Sequence, residues 1–254
     1  MRVLALVKRV PATGGRINLA ADGRSIDTAY LGFVVSPHEE CAVEEAVRLV
    51  EANGGEAVVM TLGPAEAADQ LRDALAIGVE RAVHLETDGS DWDPVATAAA
   101  LVDAIRALEA DGGPFDLVLV GNESADSGGF QVGIRVAVAL GRPIVNGAKA
   151  LAVSGGTATV RRQASGGWEV YDVPLPAVVG VREGINLPRY PSVPGRLRAK
   201  RKELERVEPQ RIAGGPELIG LSLPVEQAQE VEILGTGPEA APRVVELLRE
   251  IGVL

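Results

Sequence analysis

VLVGNESADSGGFQVG, residues 118–133, decides how the chain folds. Leu117, Val118, Leu119 and Val120 make a short apolar run, the pattern of a parallel strand buried on both faces. The run stops at Gly121, and residues 121–132 carry three Gly, two Ser, one Asn and two acids. Val132, Val136, Ala139 and Leu140 then recur at helical spacing. Strand, glycine-rich loop and helix start together form an arrangement that binds phosphate. Unpaired N–H groups point out of a helix N-terminus, and the helix dipole favours an anion there. Gly128 and Gly129 let the backbone approach a ligand closely. The spacing is neither GxGxxG nor GxxxxGK[ST], so by itself the loop indicates a nucleotide without naming one. An ordinary surface βα loop is the plain alternative.

The chain has 254 residues, enough to bury a sizeable core in one large or two small domains. Ala, Val and Leu dominate and aromatics are scarce, a composition suited to packed α/β layers. Formal net charge is −10, from 25 basic and 35 acidic residues, which argues against nucleic acid as a partner. Cys41 is the sole cysteine and His38 and His84 are the only histidines, so a Cys- or His-based metal centre is not expected. No stretch reaches the roughly 18 apolar residues of a membrane span. The opening MRVLALVKRV is too short an apolar stretch for a signal peptide, and a cytoplasmic location is expected.

Residues 2–7 read as a first buried strand, with Lys8 and Arg9 at its carboxyl end, where open parallel sheets bind ligands. Residues 12–35, with Gly14, Gly15 and Asp22-Gly23, read as loop or hairpin. Ser36-Pro37 opens a helix, Ser36 as N-cap and Glu39 as its capping-box partner. Val43, Ala46, Val47 and Val50 form the inner face of that helix. Cys41 reads as a packing residue and His38 as a first-turn surface residue. Residues 57–62 read as a second strand, and Gly63-Pro64 starts a helix ending at Gly78, with Pro64 at its first position. Residues 81–85 form a third strand with His84 packed in it, and Asp93-Pro94 begins a helix through about Leu108. The alternation predicts an α/β fold with a doubly wound parallel sheet.

Beyond Leu140 the rhythm changes. Residues 147–181 read as antiparallel hairpins returning to a final strand at Ala177 to Val181. Residues 182–200 read as loop, and Arg196, Arg198, Lys200, Arg201 and Lys202 form a basic cluster. That cluster is either a solvated face or a partner contact. Residues 203–237 read as an extended arm, and residues 238–253 as a closing amphipathic helix. Near the loop no nucleophile–base pair and no metal set is evident; Glu123 and Asp126 read as solvated or capping carboxylates.

Five ordered segments carry a resemblance: MRVLALVKRVP, SPHEECAVEEAVRL (36–49), LGPAEAADQLRDALAIGVERAVHL (62–85), GNESADSGGFQVG (121–133) and LPAVVGVREGINLPRYPSVPGRLRAKRKE (175–203). Together they resemble the β subunit of electron transfer flavoproteins. The resemblance implies an adenine-nucleotide α-hydrolase-like fold with an antiparallel hairpin addition. It implies one nucleotide-binding unit over residues 1–202, with the hairpin region at 147–181 and a partner loop at 183–202. Residues 203–254 would be an arm and helix wrapping a partner subunit. It also implies an α subunit holding most of an FAD, a structural AMP in this chain, and no turnover by this chain alone. Electrons would come from acyl-CoA and related dehydrogenases and pass to a membrane quinone oxidoreductase, as in fatty acid β-oxidation, without membrane insertion of this subunit.

Carried onto this chain, the resemblance puts the AMP phosphate against Gly121, Asn122, Glu123, Ser124, Ala125, Asp126, Ser127, Gly128, Gly129, Phe130, Gln131, Val132 and Gly133. Ser36, Pro37, His38, Glu39 and Leu62 would enclose the adenosine, with Leu6 beneath the adenine. Val193 matches an apolar anchor that plugs into a dehydrogenase, flanked by Tyr190, Pro194, Arg196 and Arg198. The chain departs from the family pattern at Asn122, Phe130, Val132 and Leu187, and has Gln163 where some members carry a flavin-facing Glu. Electron-bifurcating relatives, in which a second FAD replaces AMP, carry Asp-Gly-Asp where this chain has Asp126-Ser127-Gly128; AMP is therefore the expected ligand. A stand-alone ATP- or AMP-binding sensor is the alternative of a different class.

Overall fold

The computed structural model describes residues 1–12, 14, 17–224 and 232–254, so Gly15 and part of the expected arm lie outside the described residues. In chain order the elements are β1 (Arg2–Val7), β2 (Val10–Pro11), β3 (Phe33–Val34), α1 (Pro37–Asn53), β4 (Glu56–Gly63), α2 (Ala68–Ile77), β5 (Arg81–Glu86), α3 (Pro94–Gly112), β6 (Leu117–Gly121) and α4 (Val132–Leu140). They continue with β7 (Ile144–Ser154), β8 (Thr157–Ala164), β9 (Gly167–Pro174), β10 (Ala177–Val181), α5 (Val193–Arg201), β11 (Glu205–Val207) and α6 (Ala241–Glu250).

Among the described residues, β1 lies inside a nine-stranded sheet ordered β11-β5-β4-β1-β6-β10-β7-β8-β9. β4 and β6 flank it in parallel, with Leu4 opposite Val58 on one side and Val118 on the other. A strand buried on both faces needs a continuous apolar run, and RVLALV supplies it. Val3, Ala5 and Val7 pack under α1 and α2, whereas Leu4 and Leu6 pack under α3 and α4. The molecule is thus a doubly wound α/β sandwich. The chain moves outward from β1 through β4 to β5, then returns to the other side as β6. The strand order reverses between β1 and β6, and the crevice at their carboxyl ends is the ligand position expected of such a sheet.

The hairpin region is an extension of this sheet. β8 runs antiparallel to β7 on one side and to β9 on the other, whereas β10 returns in parallel between β6 and β7. β2 and β3 form a separate antiparallel pair.

Two expectations need correction. Residues 182–200 are not all loop, because Val193–Arg201 form α5: the Ser192 hydroxyl caps it by accepting the Gly195 N–H at 3.1 Å, and Pro194 sits in the first turn, where no N–H is needed. Gly195 lets this helix approach α2, because a Cβ there would lie 2.3 Å from the Ala76 carbonyl oxygen. Pro64 precedes a short 3₁₀ turn, Ala65–Ala67, rather than opening α2. The arm is docked where it begins: β11 pairs with β5, Arg211 donates to the Asp91 carbonyl at 2.7 Å, and the Leu221 N–H donates to the Gly23 carbonyl at 2.8 Å. The closing helix α6 forms as expected but buries no residue.

Candidate nucleotide site

The glycine-rich loop sits at the point where the strand order reverses. Asn122 N–H donates to the Val181 carbonyl at 2.9 Å, so the loop leaves the sheet between the ends of β6 and β10. It then closes on itself: Ser124 N–H donates to the Gly129 carbonyl, and Gly128 N–H to the Ser124 carbonyl. Gly128, at φ +60°, makes that turn possible. The start of α4 is drawn down onto the sheet, since a Cβ on Gly133 would stand 2.7 Å from Val120 Cγ2.

That helix start carries no side-chain cap. Its first intrahelical bond runs from Arg135 N–H to the Gln131 carbonyl at 2.9 Å. The amides of Val132, Gly133 and Ile134 therefore have no acceptor within the helix. Gln131 turns its side-chain oxygen to Arg135, 3.0 Å from Nη2, instead of capping. Uncapped amides at a strand-order reversal are a seat for an anion. Backbone donors of this kind fit a phosphate without the side-chain hydroxyl or amide that Val132 and Phe130 lack.

Side chains from three elements converge on the loop. Lys8, just past β1, places Nζ 2.7 Å from Asp126 Oδ2 and 3.4 Å from Ser124 Oγ. The Ser124 hydroxyl also donates to Asp126. Burial alone would raise the Asp126 carboxyl, but the Lys8 charge and these hydrogen bonds overcome it and hold it below its ordinary value. At the start of α1, Ser36 accepts the Glu39 N–H, and the Glu39 carboxylate accepts the Ser36 N–H at 3.3 Å and its hydroxyl at 2.9 Å. This is the capping box read from the sequence. The Glu39 carboxyl is buried against Gly121, where a Cβ would lie 2.7 Å from Glu39 Cγ. Burial pushes its pKa up to about 7, against the opposing pull of the Ser36 hydrogen bonds and the Lys8 charge.

His38 lies in the first turn of α1, with its side chain 15% exposed and both ring nitrogens engaged. Its Nδ1 accepts the Glu183 N–H at 2.8 Å, and its Nε2 lies 3.3 Å from Glu123 Oε1. Leu6 is buried beneath the crevice, and Leu62 is half-buried at the end of β4, held near β1 by Thr61 Oγ1 donating to the Val7 carbonyl at 2.8 Å. Pro37, Ala125, Asp126, Ser127 and Gly128 are at the surface, with Asn122, Glu123, Ser124 and Gly129 half-buried between them and the sheet. Cys41 and His84 are packed inside, as read from the sequence. A separate cavity of about 300 Å³ lies at the other sheet edge, but Asp103, Asp111, Glu205 and Glu208 line it and would repel a phosphate.

Residues 183–202, the expected partner segment, are built differently. Arg189 Nε and Nη2 grip the buried Glu44 carboxylate at 2.9–3.1 Å, and its Nη1 lies 2.7 Å from Glu51. Asn186 Nδ2 donates to Glu45 at 2.8 Å and to the Cys41 carbonyl at 3.0 Å. The segment is thereby pinned to α1 while Leu187 (91% exposed), Tyr190 (96%) and Val193 (73%) face solvent. Pro194, Arg196 and Arg198 are exposed beside them. Gln163 is exposed on β8. Sequence reasoning missed Lys8 as the tie on the loop and Arg189 as the clamp, although both lay within the segments that carried the resemblance.

Among the described residues no helix is long and apolar enough to cross a membrane. The electron transfer flavoprotein domain family matches residues 25–211. The chain is 35% identical over 250 residues to the electron transfer flavoprotein subunit beta of Syntrophomonas wolfei, covering 98% of this chain and 96% of that one. It is 35% identical over 210 residues to the subunit beta of Bacillus subtilis, covering 82% and 79% of the two chains. The mitochondrial subunit beta of Oryza sativa subsp. indica is 36% identical over 211 residues, covering 83% of each. Helix, loop and partner segment all fall in the matched span, and the chain belongs to the electron transfer flavoprotein β-subunit family.

Proposed function

We propose that this chain is the non-catalytic β half of a heterodimeric electron carrier and holds AMP in the crevice between the ends of β1 and β6. The observation that carries the nucleotide reading is the uncapped start of α4, pressed onto the sheet by Gly133. The amides of residues 132–134 would take the phosphate, and the loop tied by Lys8 would hold its shape around it. Ser36, Pro37, His38, Glu39 and Leu62 would enclose the adenosine, above Leu6.

The partner is an α subunit bearing FAD, which supplies the one-electron and two-electron chemistry when bound. This chain contributes binding and orientation. The clamp of Arg189 on Glu44 and Glu51 holds the exposed edge ready for a dehydrogenase, so that little loop entropy is lost on docking. Val193 is the apolar anchor, with Tyr190, Pro194, Arg196 and Arg198 around it. The arm after β11 and the helix α6, whose apolar side lacks a partner among the described residues, would wrap the α subunit. Acyl-CoA-type dehydrogenases would donate electrons and a quinone oxidoreductase would receive them, in the cytoplasm.

The test is flavin reduction in the co-expressed heterodimer, followed by absorbance after mixing with an acyl-CoA dehydrogenase and its substrate. Rapid, saturable bleaching supports the reading. A flavin that bleaches only with NADH would favour the bifurcating alternative, and a chain that copurifies with no flavoprotein would favour a nucleotide sensor.

A further inference from the structure

His38 joins two segments that the functional reading treats separately. A backbone N–H can only donate, so the 2.8 Å bond from Glu183 makes Nδ1 the acceptor. Nε2 then carries the hydrogen and donates to Glu123 Oε1 at 3.3 Å. Glu123 belongs to the glycine-rich loop, and Glu183 opens the partner segment. Backbone also joins the loop to the end of β10, just ahead of that segment, through Asn122 N–H and the Val181 carbonyl. The Glu183 carbonyl is held on its other side by Lys149 Nζ. Onward from Glu183, Asn186 and Arg189 fix the segment to Cys41, Glu44, Glu45 and Glu51 of α1. The imidazole side chain is only 15% exposed, so water does not readily replace either partner.

We propose that His38 couples the nucleotide crevice to the partner segment, so that a nucleoside monophosphate in the crevice changes the order of residues 183–190. This rests on the nucleotide reading above. An anion seated at the start of α4 repels the Glu123 carboxylate on the same loop. Glu123 shifts, the His38 Nε2–H loses its acceptor, and the imidazole's hold on Glu183 changes with it. By linkage, a partner that captures the segment changes nucleotide affinity by the same factor. Because Glu123 is 38% exposed, the factor belongs at the low end of the usual range, about fivefold.

The experiment is hydrogen–deuterium exchange of the full chain, with AMP as the probe. Exchange is read by mass spectrometry on peptides spanning residues 181–190, with each protein at its own saturating AMP concentration. The expected result is a change of about fivefold in exchange at Glu183 and its neighbours in the wild type, lost in both His38→Phe and Glu123→Ala. AMP that binds the wild type without altering these peptides overturns the coupling alone. An effect that survives in both variants also overturns it. If AMP does not bind the wild type at any concentration, the nucleotide reading falls and the coupling falls with it.

Discussion

Lys8 Nζ stands 2.7 Å from Asp126 Oδ2, tying the end of the central strand to the glycine-rich loop on the neighbouring strand. The two groups meet because β1 and β6 are adjacent and parallel and both end at the same edge. Lys8→Met is expected to lower stability by about 1 kcal/mol or less, because both side chains are partly exposed. The Asp126 carboxyl is held below its ordinary value of 3.8, so the contribution is present above that pH and fades as pH falls further. Urea midpoints of wild type and variant should therefore differ at pH 7 and converge in acid; a constant difference down to the acid limit would refute the ion-pair account.

Glu39 behaves in the opposite sense. Its folded pKa is raised from 4.5 to about 7, so the folded state holds the proton more tightly than the unfolded state. Stability should then decline as pH rises from 4.5 to above 7, by up to roughly 3 kcal/mol. Glu39→Gln keeps a capping-box residue but removes the titration. The variant should unfold at higher urea than wild type at pH 8 and lose that advantage at pH 5. Parallel pH profiles would show that Glu39 is not the group responsible.

Gly133→Ala sets two effects against each other. Alanine is worth about 1 kcal/mol over glycine inside a helix. Here its Cβ would stand 2.7 Å from Val120 Cγ2, a side chain 6% exposed that has little room to retreat. Overpacking of this kind costs about 1–3 kcal/mol, so the net change should be destabilising. The start of α4 should also lift from the sheet, weakening AMP binding in calorimetry. A more stable variant with unchanged AMP affinity would mean that the close approach is incidental.

Val193→Asp separates docking from folding. Val193 is 73% exposed, so its replacement should move the melting temperature very little. A carboxylate in place of an apolar anchor should cut the second-order rate of flavin reduction by a dehydrogenase at least tenfold. An unaltered rate would remove Val193 from the docking surface.

What could be read in the sequence divides by distance along the chain. β1, β6 and the Ser36 cap of α1 were legible because each is announced by neighbours: an apolar run, or Ser and Glu three apart. α5 was hidden because Pro191, Pro194 and Gly195 are turn residues in isolation. They suit a helix here only because Ser192 caps it and Gly195 must pass close to Ala76. β11 is three residues, two of them charged, and is a strand only because β5 offers it an edge. The pairs Lys8–Asp126, His38–Glu123 and Arg189–Glu44 join segments far apart in sequence, and no local pattern encodes them. The loop stands out in the sequence by its glycines between an apolar run and a helical spacing; the ties that hold it were visible only once the sheet had been assembled.

The most direct test of the central claim is a count of bound cofactors. The chain is co-expressed with its α subunit, the complex is purified and denatured, and released FAD and AMP are quantified by chromatography. The account predicts one FAD and one AMP per heterodimer. Two FAD and no AMP would contradict it.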